Sequence, residues 1–144
     1  MCLYLNIKIV VQIGIMSDKI YWYADKNEFS DIASPDDNYK LTLLKVNPVV
    51  NDIWSSTIEE EGKPSTITRK VILLNESIQL PDKSYSKDCV KIHETMNSYP
   101  QYYKDIWVSR SYGIVYIKGK GFSEEDGGPP VYFDLEYVLL SKSF

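Results

Sequence analysis

Apolar residues fill every odd position from Leu3 to Ile15, while Cys2, Tyr4, Asn6, Lys8, Val10, Gln12 and Gly14 fill the even ones. A period of two marks a strand with one buried face, so a first strand is predicted here. Ser17-Asp18-Lys19 offers a turn, and Ile20-Tyr21-Trp22-Tyr23 returns as a second strand paired with the first. From Ala24 to Asn38 the chain is polar; one short helical turn is expected over Asn27 to Ala33 and a loop at Ser34-Pro35-Asp36-Asp37-Asn38.

Alternation then resumes in short runs. Tyr39 to Val46 reads as a strand that Pro48 ends or confines to an edge, and after a turn at Asn51-Asp52 another runs from Trp54 to Ile58. Glu59-Glu60-Glu61-Gly62-Lys63-Pro64 forms a charged tip before Thr66 to Leu74, where Ile67, Val71 and Leu73 share a face. Arg69 falls on that same face and is placed near its edge. Leu80-Pro81-Asp82-Lys83 connects to Asp88–Thr95, with Val90 and Ile92 apolar against Lys91 and His93.

The stretch from Tyr102 to Leu140 reads as one long antiparallel hairpin. Its two arms are rich in Tyr, Trp, Val and Ile, residues suited to a pleated half-buried surface, and the loop Ser123 to Pro130 joins them. Gly113 is expected to allow a bend or bulge midway along the first arm, and Gly119-x-Gly121 to end or bulge it. The whole pattern predicts a mainly β chain with little helix. About eight strands would form a single curled antiparallel sheet, a half-barrel or open barrel, with residues 1–144 as one β domain.

Composition narrows the function classes. A chain of 144 residues can bury a sizeable core without disulfides, and Cys2 and Cys89 allow either one disulfide or two thiols. Neither lies in a C-x-x-C or Cys/His cluster. A formal net charge of −4, with no basic cluster, argues against a nucleic-acid partner. The apolar amino terminus is interrupted by Asn6, Lys8 and Gln12 and lacks a basic leader, so neither a signal peptide nor a membrane span is read in it.

Candidate chemistry is sparse. His93 is the one histidine, on the less apolar face of its strand, and no local nucleophile signature accompanies it. Cys89 is four residues away, about 13 Å along a strand and too far for a Cys–His pair. The acidic groups at Asp36-Asp37, Glu59–Glu61 and Glu124–Asp126 sit in loops and lack the order of a calcium loop. Asp134 and Glu136 alternate on one face of the last strand, where solvent-facing charge accounts for them. No catalytic residue, metal ligand or cofactor site is read from the chain. The 12 Tyr and 3 Trp make Tyr21, Trp22, Tyr23, Tyr103, Trp107 and Tyr112 the candidate ligand-binding residues, with core packing the competing role for each.

Four segments carry a resemblance: Asn47-Pro48-Val49-Val50-Asn51-Asp52-Ile53-Trp54, Tyr85-Ser86-Lys87-Asp88-Cys89-Val90-Lys91-Ile92, Tyr102-Tyr103-Lys104-Asp105-Ile106-Trp107-Val108 with Gly113-Ile114-Val115, and Leu135-Glu136-Tyr137-Val138-Leu139-Leu140. In this order they resemble a loose pattern in uncharacterised exported β-sheet proteins and lipoproteins of bacteria, similar to the half-barrels of lipoprotein carriers. The resemblance covers Tyr39 onward. It implies a concave sheet, an extracytoplasmic setting and an apolar ligand or protein partner, and it brings no catalytic residue. Family members commonly have Gly where this chain has Ser111 or Asn51, and they carry an export signal.

The resulting expectation is a non-enzymatic envelope or extracellular domain that binds an apolar small molecule, a glycan or a protein through one face of a curled sheet. A glycan-binding module would need Trp22, Trp54 and Trp107 exposed in one strip. A hydrolase around His93 would need a Ser, Cys or carboxylate within hydrogen-bond reach, in a cleft.

Overall fold

The structure is a computed structural model that describes residues 13–16, 19–25, 38–45, 47–60, 63–109, 113–125 and 127–138. The chain divides into two compact units, Met1–Asn47 and Pro48–Phe144. It is mainly β and antiparallel, as the alternation predicts, with no helix among the described residues. No helix among them is therefore long and apolar enough to cross a membrane.

The first unit holds a three-stranded sheet of β1 (Ile13–Met16), β2 (Lys19–Asp25) and β3 (Asn38–Lys45). Met16 pairs with Lys19, so β1 and β2 pair antiparallel as predicted; of the expected turn Ser17-Asp18-Lys19, Lys19 opens β2 and the other two lie outside the described residues. The earlier part of the predicted first strand and the expected helical turn over 27–33 lie outside the described residues.

The second unit is an open sheet of six strands in sequence order: β4 (Ile53–Glu60), β5 (Lys63–Gln79), β6 (Tyr85–Met96), β7 (Tyr103–Ser109), β8 (Gly113–Ser123) and β9 (Val131–Val138). The described strands thus number nine, in two sheets, where about eight in one sheet were expected. β3 ends at Lys45, before Pro48. The turn after Pro48 bonds to β5, with Asn51 N donating to Val71 O and Val71 N donating to Asp52 O, each at 2.9 Å.

Register assigns the faces, because directly opposite residues point the same way. One face carries Ile67, Val71, Val90, Ile92, Met96, Ile106, Val108 and Ile117, all buried. The other carries Lys70, Lys91, His93, Tyr103, Asp105, Trp107, Tyr116, Lys118 and Lys120. His93 therefore lies on the polar face, as its alternation with Ile92 predicts. At one end of the sheet Tyr99 stacks on Phe122 at 3.7 Å between ring centroids, and Tyr102 meets Phe122 edge-on at 5.8 Å.

Three expectations need correction. The first arm of the Tyr102–Leu140 hairpin is two strands, β7 and β8, that pair with each other from Tyr103↔Lys120 to Ser109↔Gly113. Gly113, at φ 76°, takes a conformation that a side chain disfavours, so it marks a reversal instead of a bend. Gly119 and Gly121 do not end or bulge β8, which pairs without a shift with β9 from Tyr116↔Val138 to Ser123↔Val131. They permit close packing: a Cβ at Gly119 would run into the Tyr103 carbonyl oxygen, and one at Gly121 would lie 2.8 Å from the Phe133 ring.

The third correction concerns Arg69, which is not near the edge of its face. It is 2 % exposed and opposite Glu94, itself 2 % exposed. Arg69 Nε donates to Glu94 Oε2 at 2.5 Å, and the Tyr102 hydroxyl donates to Glu94 Oε1 at 2.5 Å. Burying a charge is tolerable only with such partners, and these lie on three different chain segments.

Candidate functional site

The polar face of the larger sheet gathers aromatic and charged groups around Trp107. On β5 the buried positions are odd up to Val71, but beyond the pairing irregularities between Val71 and Ile78 the less exposed positions are even. That change carries Glu76 and Ile78 to the Trp107 side. Trp107 Nε1 donates to Glu76 Oε2 at 2.7 Å, and Ile78 and Tyr116 pack against a cluster of Cys89, Trp107 and Val115. The Tyr116 ring lies 4.8 Å from the Trp107 ring, centroid to centroid, and the Lys91 ammonium sits 4.8 Å from the Trp107 ring centre. Lys91 Nζ is also 3.6 Å from Asp105 Oδ2.

Beside this cluster runs a groove of about 440 Å³. Ser77, Ile78, Gln79, Leu80 and Pro81 form one wall; Tyr116, Glu136 and Val138 of β8 and β9 form the other. The wall from β5 is held by the turn that follows it. Lys83 N donates to Leu80 O at 2.9 Å, Leu80 N to Ser84 O at 2.8 Å, and Ser84 N to Asp82 Oδ1 at 3.0 Å. The predicted Leu80–Lys83 connection thus shapes one side of the groove. The other side holds a polar pair, with the Tyr116 hydroxyl donating to Glu136 Oε1 at 2.5 Å.

Loss of solvent, the bond to Glu136 and the negative charge of that carboxylate push the Tyr116 phenol up to about 12 from 10.0. The folded chain therefore holds this proton more tightly than the unfolded one. Its contribution to stability is complete below pH 10 and is lost as pH rises toward about 12. Ultraviolet titration of the tyrosines should include a late phenol in the wild type that Glu136→Gln brings down. An unchanged titration curve in that variant would mean the pair does not form.

The sequence-predicted residues separate. Trp107 is 7 % exposed and belongs to the cluster, while Tyr103 is half-buried and stacked on His93 at 5.8 Å. Tyr21, Trp22 and Tyr23 lie on β2, opposite Thr42, Leu41 and Lys40 of β3. Tyr112 lies outside the described residues. Trp54 pairs with Arg69 and Trp107 pairs with Lys91, so these two tryptophans fall on opposite faces and share no strip.

His93 Nδ1–H donates to Asp105 Oδ1 at 2.7 Å, on an open face where the His93 side chain is 39 % exposed. The carboxylate a hydrolase would need is thus present. Among the described residues no Ser or Cys bonds to the imidazole, and no group of His, Cys, Asp and Glu could hold a metal ion. Cys89 is fully buried, its thiol directed at Ser86 Oγ at 3.4 Å.

No family model, curated protein or solved structure matches the chain.

Sequence reading missed Glu76, Glu136 as the partner of Tyr116, and the wall from Ser77 to Pro81. The one available signal was a lone carboxylate at Glu76 between the apolar Leu74 and Ile78. It points to a buried or half-buried acid without saying what it meets.

Proposed function

We propose that this protein is a non-enzymatic binding domain whose ligand occupies the groove between the end of β5 and the β8–β9 floor. The observation that carries the reading is the composition of the two walls. Ile78, Pro81 and Val138 present apolar surface over the buried Leu80, while Glu136 places a carboxylate beside it. Sites of this kind fix an apolar body by contact and orient it by a few polar groups. The complementary ligand is an apolar small molecule with a cationic or donor end.

Trp107 and its neighbours support the site from behind. The indole is anchored by Glu76 and covered by Tyr116, so the floor is held by packing and by one hydrogen bond to a carboxylate.

Residue-resolved NMR titration with dodecyltrimethylammonium and with dodecyl sulfate, each below its micelle concentration, tests the reading. The cationic amphiphile should give saturable shifts at Ile78, Leu80, Tyr116 and Val138, weakened several-fold by Glu136→Gln. Equal titration by both amphiphiles, or shifts spread over the whole sheet, would overturn it.

A further inference from the structure

His93 is the one histidine of the chain, and the register of the larger sheet sets it among charges. Lys70 of β5 lies directly opposite it on one side and Asp105 of β7 on the other. Beyond Asp105 come Lys118 of β8 and then Glu136 of β9, while Lys120 of β8 faces Tyr103. Lys91 is two residues from His93 on β6, on the same face and opposite Trp107.

Asp105 holds two of these groups at once. Its Oδ1 accepts from His93 Nδ1 at 2.7 Å, and its Oδ2 lies 3.6 Å from Lys91 Nζ. The ammonium placed in this way lies 4.8 Å from the centre of the Trp107 ring, within reach of a cation–π contact. Tyr116 packs on the same indole and Glu76 takes its N–H, so Trp107 is left 7 % exposed. Tyr103 stacks on His93 at 5.8 Å. His93, Lys91, Asp105, Tyr103 and Trp107 make no further side-chain hydrogen bond, ion pair or ring contact among the described residues.

Protonation disturbs this arrangement at one point. With Nδ1–H committed to Asp105, the neutral imidazole takes its second proton at Nε2, and its side chain is open to solvent. The new charge makes the bond to Asp105 charge-assisted and sets a like charge directly across from Lys70. One carboxylate then serves two cations, with Lys70 and Lys118 on its flanks. The partner held at 3.6 Å yields before the one held at 2.7 Å. Lys91 is also the freer of the two, a strongly hydrated ammonium on a flexible four-carbon stem.

We propose that His93, Asp105 and Lys91 form a proton-operated cover for Trp107. While His93 is neutral, the ammonium lies over the indole. When His93 takes its second proton, the ammonium leaves for solvent and that part of the ring is uncovered. The inference does not rest on the groove, since it concerns contacts between β6 and β7 and needs no ligand.

Proton NMR of the full chain tests it. The methylene protons beside the Lys91 ammonium lie over the indole, whose ring current displaces them upfield. That displacement should be present at pH 8 and mostly lost by pH 5, with the same midpoint as the ring protons of His93. In His93→Gln it should persist at both ends, which also separates the imidazole from the terminal amine. In Asp105→Asn, which removes the charge that holds Lys91, it should be lost at both ends. The dispersed methyl signals of the buried Ile92 and Val108 check that each variant is folded, and the wild-type titration stands without either variant. A Lys91 signal that stays constant across the range in the wild type would overturn the inference. So would a midpoint different from that of His93, the same loss in folded His93→Gln, or a retained displacement in folded Asp105→Asn.

Discussion

Replacing Arg69 by Met is expected to lower the unfolding free energy by about 3–5 kcal/mol, because the change leaves the buried Glu94 carboxylate without its main counter-charge. The side chains of Arg69 and Glu94 are both 3 % accessible, so water cannot take over the lost partner. A loss of that size is a large part of the roughly 5–15 kcal/mol that holds a typical domain folded. Urea denaturation measures it. Replacing the set together, Arg69→Met with Glu94→Leu and Tyr102→Phe, should recover most of the loss, since the uncompensated charge and the orphaned hydroxyl are then both gone. Equal destabilisation in the single and triple variants would show that packing, and not charge, governs the site.

The same network sets an acid limit. Burial by itself pushes the Glu94 carboxyl up, but the Arg69 and Lys104 charges and the hydrogen bonds from Tyr102 and Arg69 outweigh it and hold the carboxyl below its ordinary 4.5. A group depressed in the folded state stabilises the fold above its unfolded value, and that contribution is lost as pH falls through the folded one. Stability of the wild type should therefore fall with acid below about pH 4.5, and the slope should flatten in Glu94→Gln.

Trp107→Ala is expected to cost about 3–5 kcal/mol, the usual range for emptying a buried aromatic site. Trp107→Phe keeps most of the ring contact and loses the indole N–H that Glu76 accepts, a bond to a charged group worth about 1.5–3 kcal/mol. Chemical denaturation should rank wild type above the phenylalanine variant and that above the alanine variant. The alanine variant should also weaken groove binding, because Tyr116 loses the surface it packs on. If both variants were equally unstable, the hydrogen bond would carry the energy and the packing would not.

Much of the fold was legible because side-chain direction alternates along a strand whatever the strand pairs with. The aromatic run Ile20–Tyr23 and the period of two in Tyr39–Val46 and Asp88–Thr95 located strands, and the last put His93 on the polar face. The Ser123–Pro130 loop located the β8–β9 connection. The division of the first arm at Gly113 was less legible, since one glycine in a β pattern fits a bend or a reversal equally well. Only the pairing of Tyr103 with Lys120 distinguishes the two.

The candidate site was legible only in part. Trp107 and Tyr103 were visible as aromatics in strands, but the partners that define their environment are remote in sequence. Glu76 is 31 residues from Trp107, and Arg69 is 25 residues from Glu94. Alternation places a residue on a face without saying which residue of another strand lies opposite, and the irregularities in β5 between Val71 and Ile78 shift that register further. Composition could exclude a basic nucleic-acid surface, yet it could not show that Lys118 and Lys120 are each matched by an acid on β9.

The sequence by itself determined the β class, the positions of most strands and the faces of side chains in the regular strands, because these follow from local geometry and burial; in β5 the irregularities after Val71 put Leu73 opposite Lys91 instead of on the face of Ile67 and Val71. Tertiary structure alone decided that Arg69 is a buried ion-pair partner and that Trp107 is packed instead of presented. It also decided that a groove opens beside Tyr116 and that Glu76, remote in sequence, anchors the Trp107 indole. Those outcomes depend on strand order, register and bulges, which join residues far apart in the chain and leave no local periodic trace.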